Sequence, residues 1–485
     1  MRFPVRTGRC KPCGRRISWW VLTLLMALPR VGVAAAEGLS VGAAVVKITP
    51  ALGVPLAGYY HARGADGVHD DLYSRALVLE RGGVRAALVA LDLISTRREW
   101  VEEARALIEV QTGIPGGHVM ISATHAHTGP ILPSRGRTDA GRAEPNAVAM
   151  DFLAGLPGLI AQSVLEADRR RQSGRAMAAI GREETLAFNR RFHMRDGSVG
   201  WNPGKGNPNI LKPAGPIDPE VPIVLFETHQ QKPLATYVNY AVHLDNVGGN
   251  QISADLPFTL TECLARVLGP DHVTLWTAGT CGDVNHIDVG WPRPQSGHAN
   301  AARMGIVLAG EVLRQWPRLA PSGHGPLQIR RQDVALPLAP IDEAEVEAAR
   351  FTVRATRDSE PGGFMKLVQA YKVLDVHARE GRPLEVEVQA VTLGRELAWV
   401  SLPGEVFVQL GLDLKLDSPF SQTMVVELAN GSIGYIPNRR AYGQGAYEVV
   451  SARCAEGSGE TLVRVAVDML KAMHREAGGG DRDGR

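Results

Sequence analysis

Two histidines, His125 and His127, are the first residues of this sequence whose types and spacing suggest chemistry. They follow the segment 117–123, whose short apolar pattern predicts a buried strand that ends where the polar residues begin. Side chains at i and i+2 of an extended chain project to the same side, so both imidazoles can approach one metal ion. A lone His-x-His also fits one core histidine beside one loop histidine, so the assignment depends on the rest of the chain.

Polar residues follow other predicted strands in the same way. Asp92 ends one apolar strand, His243 directly follows a second, and Asp283 and Asn285 follow a third. In open α/β sheets, ligands bind beyond the carboxyl ends of the strands. Because buried polar side chains need partners, this concentration of His, Asp and Asn predicts a metal or ligand among them.

The elements that carry these residues predict the fold class. A hairpin over 75–92, a helix over 96–111 and the strand before His125 form a strand–helix–strand unit, which is typical of a right-handed parallel crossover. We therefore expect an α/β fold, with a mixed, largely parallel central sheet flanked by helices in a single large catalytic domain. Further predicted strands lie at 41–49, 233–242, 272–276 and 423–428, and a second hairpin lies at 384–402. Further predicted helices lie at 260–268, 301–315, 342–357, 363–379 and 460–475.

One long loop, 202–216, is dense in Gly, Pro and Asn. Such a loop is either the border of a substrate entrance or a plain surface connector. The residues support both readings.

The N-terminal segment 1–36 has the pattern of a signal peptide. Basic residues precede the apolar stretch 19–28, and Ala34–Ala36 supplies small residues for cleavage. The stretch is too short to span a membrane, and we expect no transmembrane segment in the mature chain. The sequence thus predicts export to the periplasm or medium, a single folded domain over 37–477 and a disordered tail at 478–485.

Charge and cysteine content exclude a nucleic-acid-binding protein and a domain built on a scaffold of several disulfides. A formal net charge of +2 over 485 residues, with scattered arginines, gives no nucleic-acid footprint. Cys10 and Cys13 fall in the predicted signal peptide, which leaves Cys263, Cys281 and Cys454, an odd number that allows at most one disulfide.

Taken together, several motifs resemble the neutral/alkaline non-lysosomal ceramidase family, and their shared order covers nearly the whole mature chain. They are Gly42 to Pro50, Ser122 to Pro130, Asn189-Arg190, Ala241-Val-His243, Ala278 to Asn285, Leu402-Pro-Gly-Glu405, and Gly434-Tyr435 with Tyr442, Gln444, Tyr447 and Glu448.

The resemblance implies a single zinc ion, a ligand set suited to a catalytic metal that keeps room for water. It implies the metal ligands His125, His243, Glu405 and Tyr442, with His127 as proton carrier and Arg190 as stabiliser of the oxyanion. Three carboxylates are candidates to orient the ligating imidazoles by hydrogen bonds to their other ring nitrogens: Asp92, Asp255 and Asp283.

One departure from the family pattern bears on mechanism. Asn285 stands where the family has a serine proposed to take part in catalysis. An amide cannot be a hydroxyl nucleophile, but it can donate a hydrogen bond to an oxyanion, so Asn285 is a candidate for that role.

The sequence therefore predicts an exported, ceramidase-like hydrolase that uses a zinc-activated water to cleave the amide bond of a small or lipid N-acyl substrate. Alternatives are an ester or lactone hydrolase, a non-catalytic lipid- or carbohydrate-binding relative, and a metal-dependent amidohydrolase on an eight-fold barrel. The barrel needs its His-x-His on the first strand and regular strand–helix alternation, and the early and late hairpins fit neither requirement.

Overall fold

A computed structural model describes residues 38–59, 61–132, 146–356 and 362–479. The predicted signal peptide at 1–36 and residues 480–485 of the predicted tail lie outside the described residues. Residues 478 and 479 are the end of the last helix.

The strands are short to medium in length and are distributed over the whole described chain. In chain order they are β1 Leu39–Lys47, β2 Gly67–Val68, β3 Tyr73–Arg81, β4 Val84–Leu91, β5 Val119–Ala123, β6 Gln172–Arg182, β7 Phe188–Asn189, β8 Arg191–Met194, β9 Val199–Trp201, β10 Ile210–Pro213, β11 Glu220–Thr228, β12 Pro233–Tyr240, β13 Gln251–Ile252, β14 Val273–Ala278, β15 Val284–Asn285, β16 Ala320–Ser322, β17 Leu327–Leu336, β18 Leu384–Leu393, β19 Leu397–Ser401, β20 Glu405–Val406, β21 Gln422–Val426 and β22 Tyr435–Ile436.

The helices lie between groups of these strands and after the last one. They are α1 Arg98–Thr112, α2 Ala147–Arg169, α3 Leu256–Leu268, α4 His298–Gln315, α5 Glu343–Ala355, α6 Gly363–His377, α7 Val408–Asp417, α8 Arg439–Tyr442, α9 Tyr447–Ser451 and α10 Ser458–Gly479. Short 3₁₀ turns lie at Gly116–His118 and Trp316–Arg318.

The central sheet has nine strands in the order β14-β12-β11-β6-β1-β3-β4-β5, with β16 also paired to β6. The predicted α/β class with a mixed sheet flanked by helices is confirmed. The expectation of a largely parallel sheet is wrong, since only the β12–β14 and β4–β5 pairs are parallel. The other pairs are antiparallel. The apolar strands misled the prediction because this antiparallel sheet is covered on both faces, a pattern more typical of parallel sheets.

A second sheet, in the order β17-β18-β19-β21, packs against the inner face of the first. Leu77 and Leu88 of the large sheet share a buried cluster with Val391, Trp399 and Met424 of the small one. Helices α1 to α4 cover the outer face of the large sheet, and α7 and α10 cover the small sheet. The result is a helix–sheet–sheet–helix arrangement with dry cores between its layers.

Among the described residues, α2 is the one helix long and apolar enough to cross a membrane by length and composition. Its apolar residues Leu153, Leu156, Ile160 and Val164 are buried in the core that α1 and the large sheet share. Packing inside the protein therefore accounts for its composition.

The predicted hairpin and crossover are present as β3–β4 and β4–α1–β5. The cysteines outside the predicted signal peptide, Cys263, Cys281 and Cys454, are free thiols.

Candidate metal centre

His125 is held by the backbone just beyond the end of β5. Its amide donates to Leu93 O at 2.9 Å, and its φ of 73° lies in the left-handed region that non-glycine residues rarely adopt. The Nδ1 atom lies 2.6 Å from Ile94 O, so Nδ1 carries the proton and donates it to this carbonyl. The Nε2 lone pair of a neutral His125 is therefore free to face the centre of the site.

Three imidazoles converge at this point. The Nε2 of His125 lies 2.9 Å from Nε2 of His243 and 3.3 Å from Nε2 of His127. All three rings are buried, and His243 reaches the site from the loop after β12. These two histidine segments come from separate parallel pairs of the large sheet, at the carboxyl ends where such sheets place ligands.

Glu405 and Tyr435 complete the centre from the side of the small sheet. The Oε2 of Glu405 lies 3.5 Å from Nε2 of His125, and the Tyr435 hydroxyl is hydrogen-bonded to the same carboxylate. The two residues are direct register partners in the parallel pair β20–β22. Gly282 allows this approach, because a Cβ there would lie 2.5 Å from Glu405 O.

The electrostatics of the centre favour neutral His127 and His243 beside a charged Glu405 carboxylate. Burial, followed by the charge of His125, holds the pKa values of His127 and His243 well below the ordinary histidine value. Burial alone would raise the pKa of Glu405, but hydrogen bonding and attraction to His125 outweigh it and lower that pKa. The pKa of His125 is correspondingly raised, because the Glu405 carboxylate outweighs the opposing effect of burial.

This donor set fits a zinc ion. Neutral imidazole nitrogens and one carboxylate are the ligands of catalytic zinc, and tetrahedral nitrogens 2.0–2.1 Å from the metal lie roughly 3.3 Å apart. The Nε2 atoms of His125 and His243 are 2.9 Å apart, shorter than that spacing, and His127 Nε2 lies 3.3 Å from His125 Nε2. Since Nδ1 of His125 holds that ring's proton, its Nε2 can donate no hydrogen bond to either neighbour. A cation explains the convergence better than hydrogen bonds alone.

Arg190 lies beside this donor set. Its Nη2 donates to Tyr435 Oη at 3.1 Å and to Gly282 O at 2.8 Å, and its Nε donates to Glu448 Oε1 at 2.8 Å. The other oxygen of Glu448 pairs with Arg191 Nη1 at 2.9 Å, and all three charged side chains are buried. This shared carboxylate fixes the guanidinium of Arg190 next to the tyrosine.

His127 faces a more open wall. Its Nδ1 lies 3.4 Å from Oδ1 of Asp245, a carboxylate whose side chain is 35% exposed. The same oxygen accepts a 2.8 Å hydrogen bond from the Tyr59 hydroxyl. Gly58, with a φ of 97°, lets this wall close on the imidazole, since a Cβ there would lie within 2.8 Å of His127 atoms.

Tyr442, the fourth ligand that the family resemblance implied, does not face the histidines. Its hydroxyl donates to Cys454 O at 2.8 Å, from the short helix α8. The structure instead places Tyr435 at the carboxylate of Glu405. The error arose because the sequence offers several tyrosines in one motif, and only the β20–β22 pairing distinguishes them.

None of the three predicted supporting aspartates hydrogen-bonds a histidine of the centre. Asp92 Oδ2 accepts from Arg75 at 2.5 Å and from Tyr73 N, while a backbone carbonyl serves His125 in its place. Asp92 therefore fixes the start of β3, which is a correction to its expected role.

Asp255 and Asp283 support the site through the backbone. Asp255 accepts from the amides of Asn246 and Val247, which fixes the loop after His243. Asp283 accepts from Val408 N at the start of α7 and from Asn189, the residue before Arg190. Burial raises the pKa of each carboxyl to about 6.

Asn285 is also engaged away from the histidines. Its Nδ2 donates to Asn202 Oδ1 at 3.1 Å, and its Oδ1 accepts from Ile287 N at 3.0 Å. These bonds order a turn and give no support to its predicted role as an oxyanion donor.

Sequence reasoning missed the roles of Tyr435 and Glu448, although both lie in the motifs that suggested the family. Position distinguishes both residues. Tyr435 follows Gly434 and pairs with Glu405 in the β20–β22 ladder, and Glu448 lies opposite two successive arginines, Arg190 and Arg191.

Comparison of the whole fold with solved structures gives a clear relationship. The chain matches the crystal structure of neutral ceramidase from Pseudomonas aeruginosa with a TM-score of 0.69 and 18% identity, over 91% of this chain and 75% of that one. It matches a ceramidase complexed with C2 with a TM-score of 0.67 and 17% identity, over 91% and 76% of the two chains. No protein-family model and no curated protein matches the sequence. The resemblance inferred from the motifs is thus confirmed in three dimensions, and this chain has the neutral ceramidase fold.

Proposed function

We propose that this chain is an exported zinc-dependent hydrolase that cleaves the amide carbon–nitrogen bond of an N-acyl substrate, either ceramide-like or smaller. The observation that carries the proposal is the convergence of His125, His127 and His243 with the carboxylate of Glu405. The fold shared with two solved ceramidases supports the choice of an amide substrate.

In this proposal His125, His243 and Glu405 hold the zinc, and Tyr435 replaces Tyr442 as the neighbouring phenol. Bound zinc supplies Lewis acidity to a substrate carbonyl and to a water molecule. The protein's contribution is to hold His243 neutral and the Glu405 carboxylate charged, as their pKa shifts favour.

Arg190 stabilises the negative charge that develops on the substrate carbonyl oxygen. Its Nε and Nη2 are bound to protein acceptors, whereas its Nη1 makes no hydrogen bond within the described residues. A guanidinium held rigidly by Glu448 is preorganised for this task, which is where electrostatic catalysis gains most. The Tyr435 hydroxyl accepts a hydrogen bond from Arg190 Nη2 and so helps to hold this guanidinium in place.

His127 carries the proton to the leaving amine through Nε2, which faces the centre. Its lowered pKa keeps it neutral and able to accept a proton. Asp245, on the Nδ1 side, stabilises the imidazolium that forms and connects it to the solvent-exposed wall.

The test is to measure zinc content and hydrolysis for the wild type, His125→Ala and a control, His229→Ala, which removes an exposed histidine. Substrates are ceramides, short N-acyl amines, esters and lactones. We expect about one zinc per wild-type and control chain, amide hydrolysis by both, and an activity loss on the order of 1000-fold or more in His125→Ala with loss of the metal.

A zinc-free wild type, or full zinc in His125→Ala, would contradict the metal site. Turnover of esters or lactones alone would contradict the amide assignment and leave the site standing. Export is tested separately by the N-terminus of protein recovered outside the cytoplasm, which we expect near Glu37.

A further inference from the structure

A second cavity, distinct from the histidine centre, lies behind Arg190. It has a volume of about 790 Å³, within the range of small-molecule sites. Its wall includes Arg191 of β8, Lys212 of β10, Gly215 of the loop that follows β10, and Arg440 of α8. The zinc candidates His125, His243 and Glu405 are not among its lining residues. The cavity is therefore a separate site.

Two cationic side chains of this wall, Lys212 and Arg440, lack a hydrogen-bond or ion-pair partner among the described residues. Lys212 and Arg440 make no hydrogen bond or ion pair within the described part of the chain, although both face the same cavity. Together they offer up to eight N–H donors. Unpaired donors that surround one cavity favour an anion.

In the described residues, none of the carboxylates of the wall accepts a hydrogen bond from Lys212 or Arg440. Asp283 accepts from Val408 N and Asn189, and Asp413 accepts from Gln409. Glu460 accepts the backbone amide of Arg439 through Oε1. Each is already bonded elsewhere, so the donor capacity of Lys212 and Arg440 remains available.

Glu460 adds a second requirement. Its Oε2 is a buried acceptor with no hydrogen-bond partner in the described residues. A ligand that carries a hydroxyl beside its anionic group satisfies this oxygen as well as the cations. That combination occurs in the phosphate monoester of a polyol, which has oxygens for the cations and a hydroxyl for Glu460.

We propose that this cavity binds a small hydroxylated phosphate monoester, held by Lys212 and Arg440 with Glu460 accepting from the ligand hydroxyl. A free sugar or glycerol phosphate and a lipid headgroup share this chemistry. The 202–216 loop, which the sequence marked as an entrance or a connector, supplies Lys212 and so becomes part of a binding wall.

The experiment measures binding by isothermal titration calorimetry, with glycerol 3-phosphate and inorganic phosphate as probes. The variant K212Q/R440Q removes two cavity charges. The control R266Q/K471Q removes two charges from exposed positions on α3 and α10 that do not line the cavity. We expect wild type and control to bind glycerol 3-phosphate more tightly than phosphate. The cavity variant should lose at least about tenfold in affinity, since charge-assisted hydrogen bonds are the strong ones.

Two arms separate this site from the zinc centre and identify the ligand source. His125→Ala must retain glycerol 3-phosphate binding, because the proposed metal site takes no part in it. If the chain binds glycerol 3-phosphate but not phosphatidate vesicles, the ligand is a soluble phosphate ester. If the wild type sediments with phosphatidate vesicles and K212Q/R440Q does not, the ligand is a lipid headgroup. Absence of binding to both phosphates and vesicles, or full binding by K212Q/R440Q, overturns the proposal.

Discussion

The histidine centre and the cationic cavity lie on two sides of one pair of residues, Arg190 and Arg191, and they use charge in opposite ways. In the centre, burial holds His127 and His243 neutral. In the cavity, Lys212 and Arg440 are exposed and make no ion pair within the described residues. Buried neutral donors select a metal cation, whereas accessible cations select an anion. Burial, more than residue type, decides what each region can bind.

Glu448 connects the two regions, and its removal has the largest expected effect. Its two oxygens bind Arg190 and Arg191 separately, and all three side chains are buried. Glu448→Ala leaves two buried guanidinium groups without their carboxylate, and loss of one partner of a buried pair costs about 3–5 kcal/mol. We expect a fall of that size in the free energy of unfolding, measured by urea denaturation.

The matched control is Glu476→Ala, which removes the partner of Arg330 from an exposed pair. Surface pairs contribute about 1 kcal/mol or less. Equal losses for the two variants would show that Glu448 does not hold the regions together.

Tyr435 and Tyr442 test the boundary of the centre. Tyr435→Phe removes a hydroxyl that joins Arg190 to Glu405, and we expect kcat to fall about 100- to 1000-fold, as for loss of one preorganised donor. Tyr442→Phe removes a bond to Cys454 O, and kcat should stay within about twofold. Steady-state kinetics on the amide substrate decides between them, and the reverse result would restore Tyr442 to the centre.

Asp283 sharpens the comparison, because it lines the cavity yet is buried like the centre. Its folded pKa of about 6 lies above the unfolded value of about 3.9, so the folded chain retains a proton that the unfolded chain releases. Its contribution to stability therefore falls as the pH rises from about 4 to 6.

Asp283→Asn lacks this proton equilibrium, although it loses acceptor bonds at every pH. Its unfolding free energy should improve relative to the wild type by about 1–3 kcal/mol between pH 4 and 7. Urea midpoints across this range provide the measurement. If the difference in unfolding free energy stayed constant over this pH range, the Asp283 carboxyl would have an ordinary pKa, like an exposed carboxyl group.

Local patterns predicted much of the fold. The β3–β4 hairpin and the α1 crossover follow from turn residues and apolar period, and both are present. Strand direction in the large sheet was not predictable, since apolar strands buried on both faces look alike in parallel and antiparallel sheets. Helix α2 was not anticipated from the apolar segment that forms it.

The same distinction, between local patterns and long-range pairing, applies to the residues of the candidate site. His125 and His243 were predictable because each lies within three residues of the end of a strand, so a local pattern carries the information. Tyr435 depends on its pairing with Glu405 across 29 intervening positions, and Asp92 on a partner in the neighbouring strand. Such long-range registers are decided by packing and leave no periodic mark in the sequence.

The packing of the two sheets also determines when the centre exists during folding. His125 and His243 belong to loops of the large sheet, whereas Glu405 and Tyr435 belong to segments beside the small one. Neither sheet alone carries the proposed ligand set of His125, His243 and Glu405. In the proposed site, zinc binding by all three ligands therefore requires the two sheets to be docked.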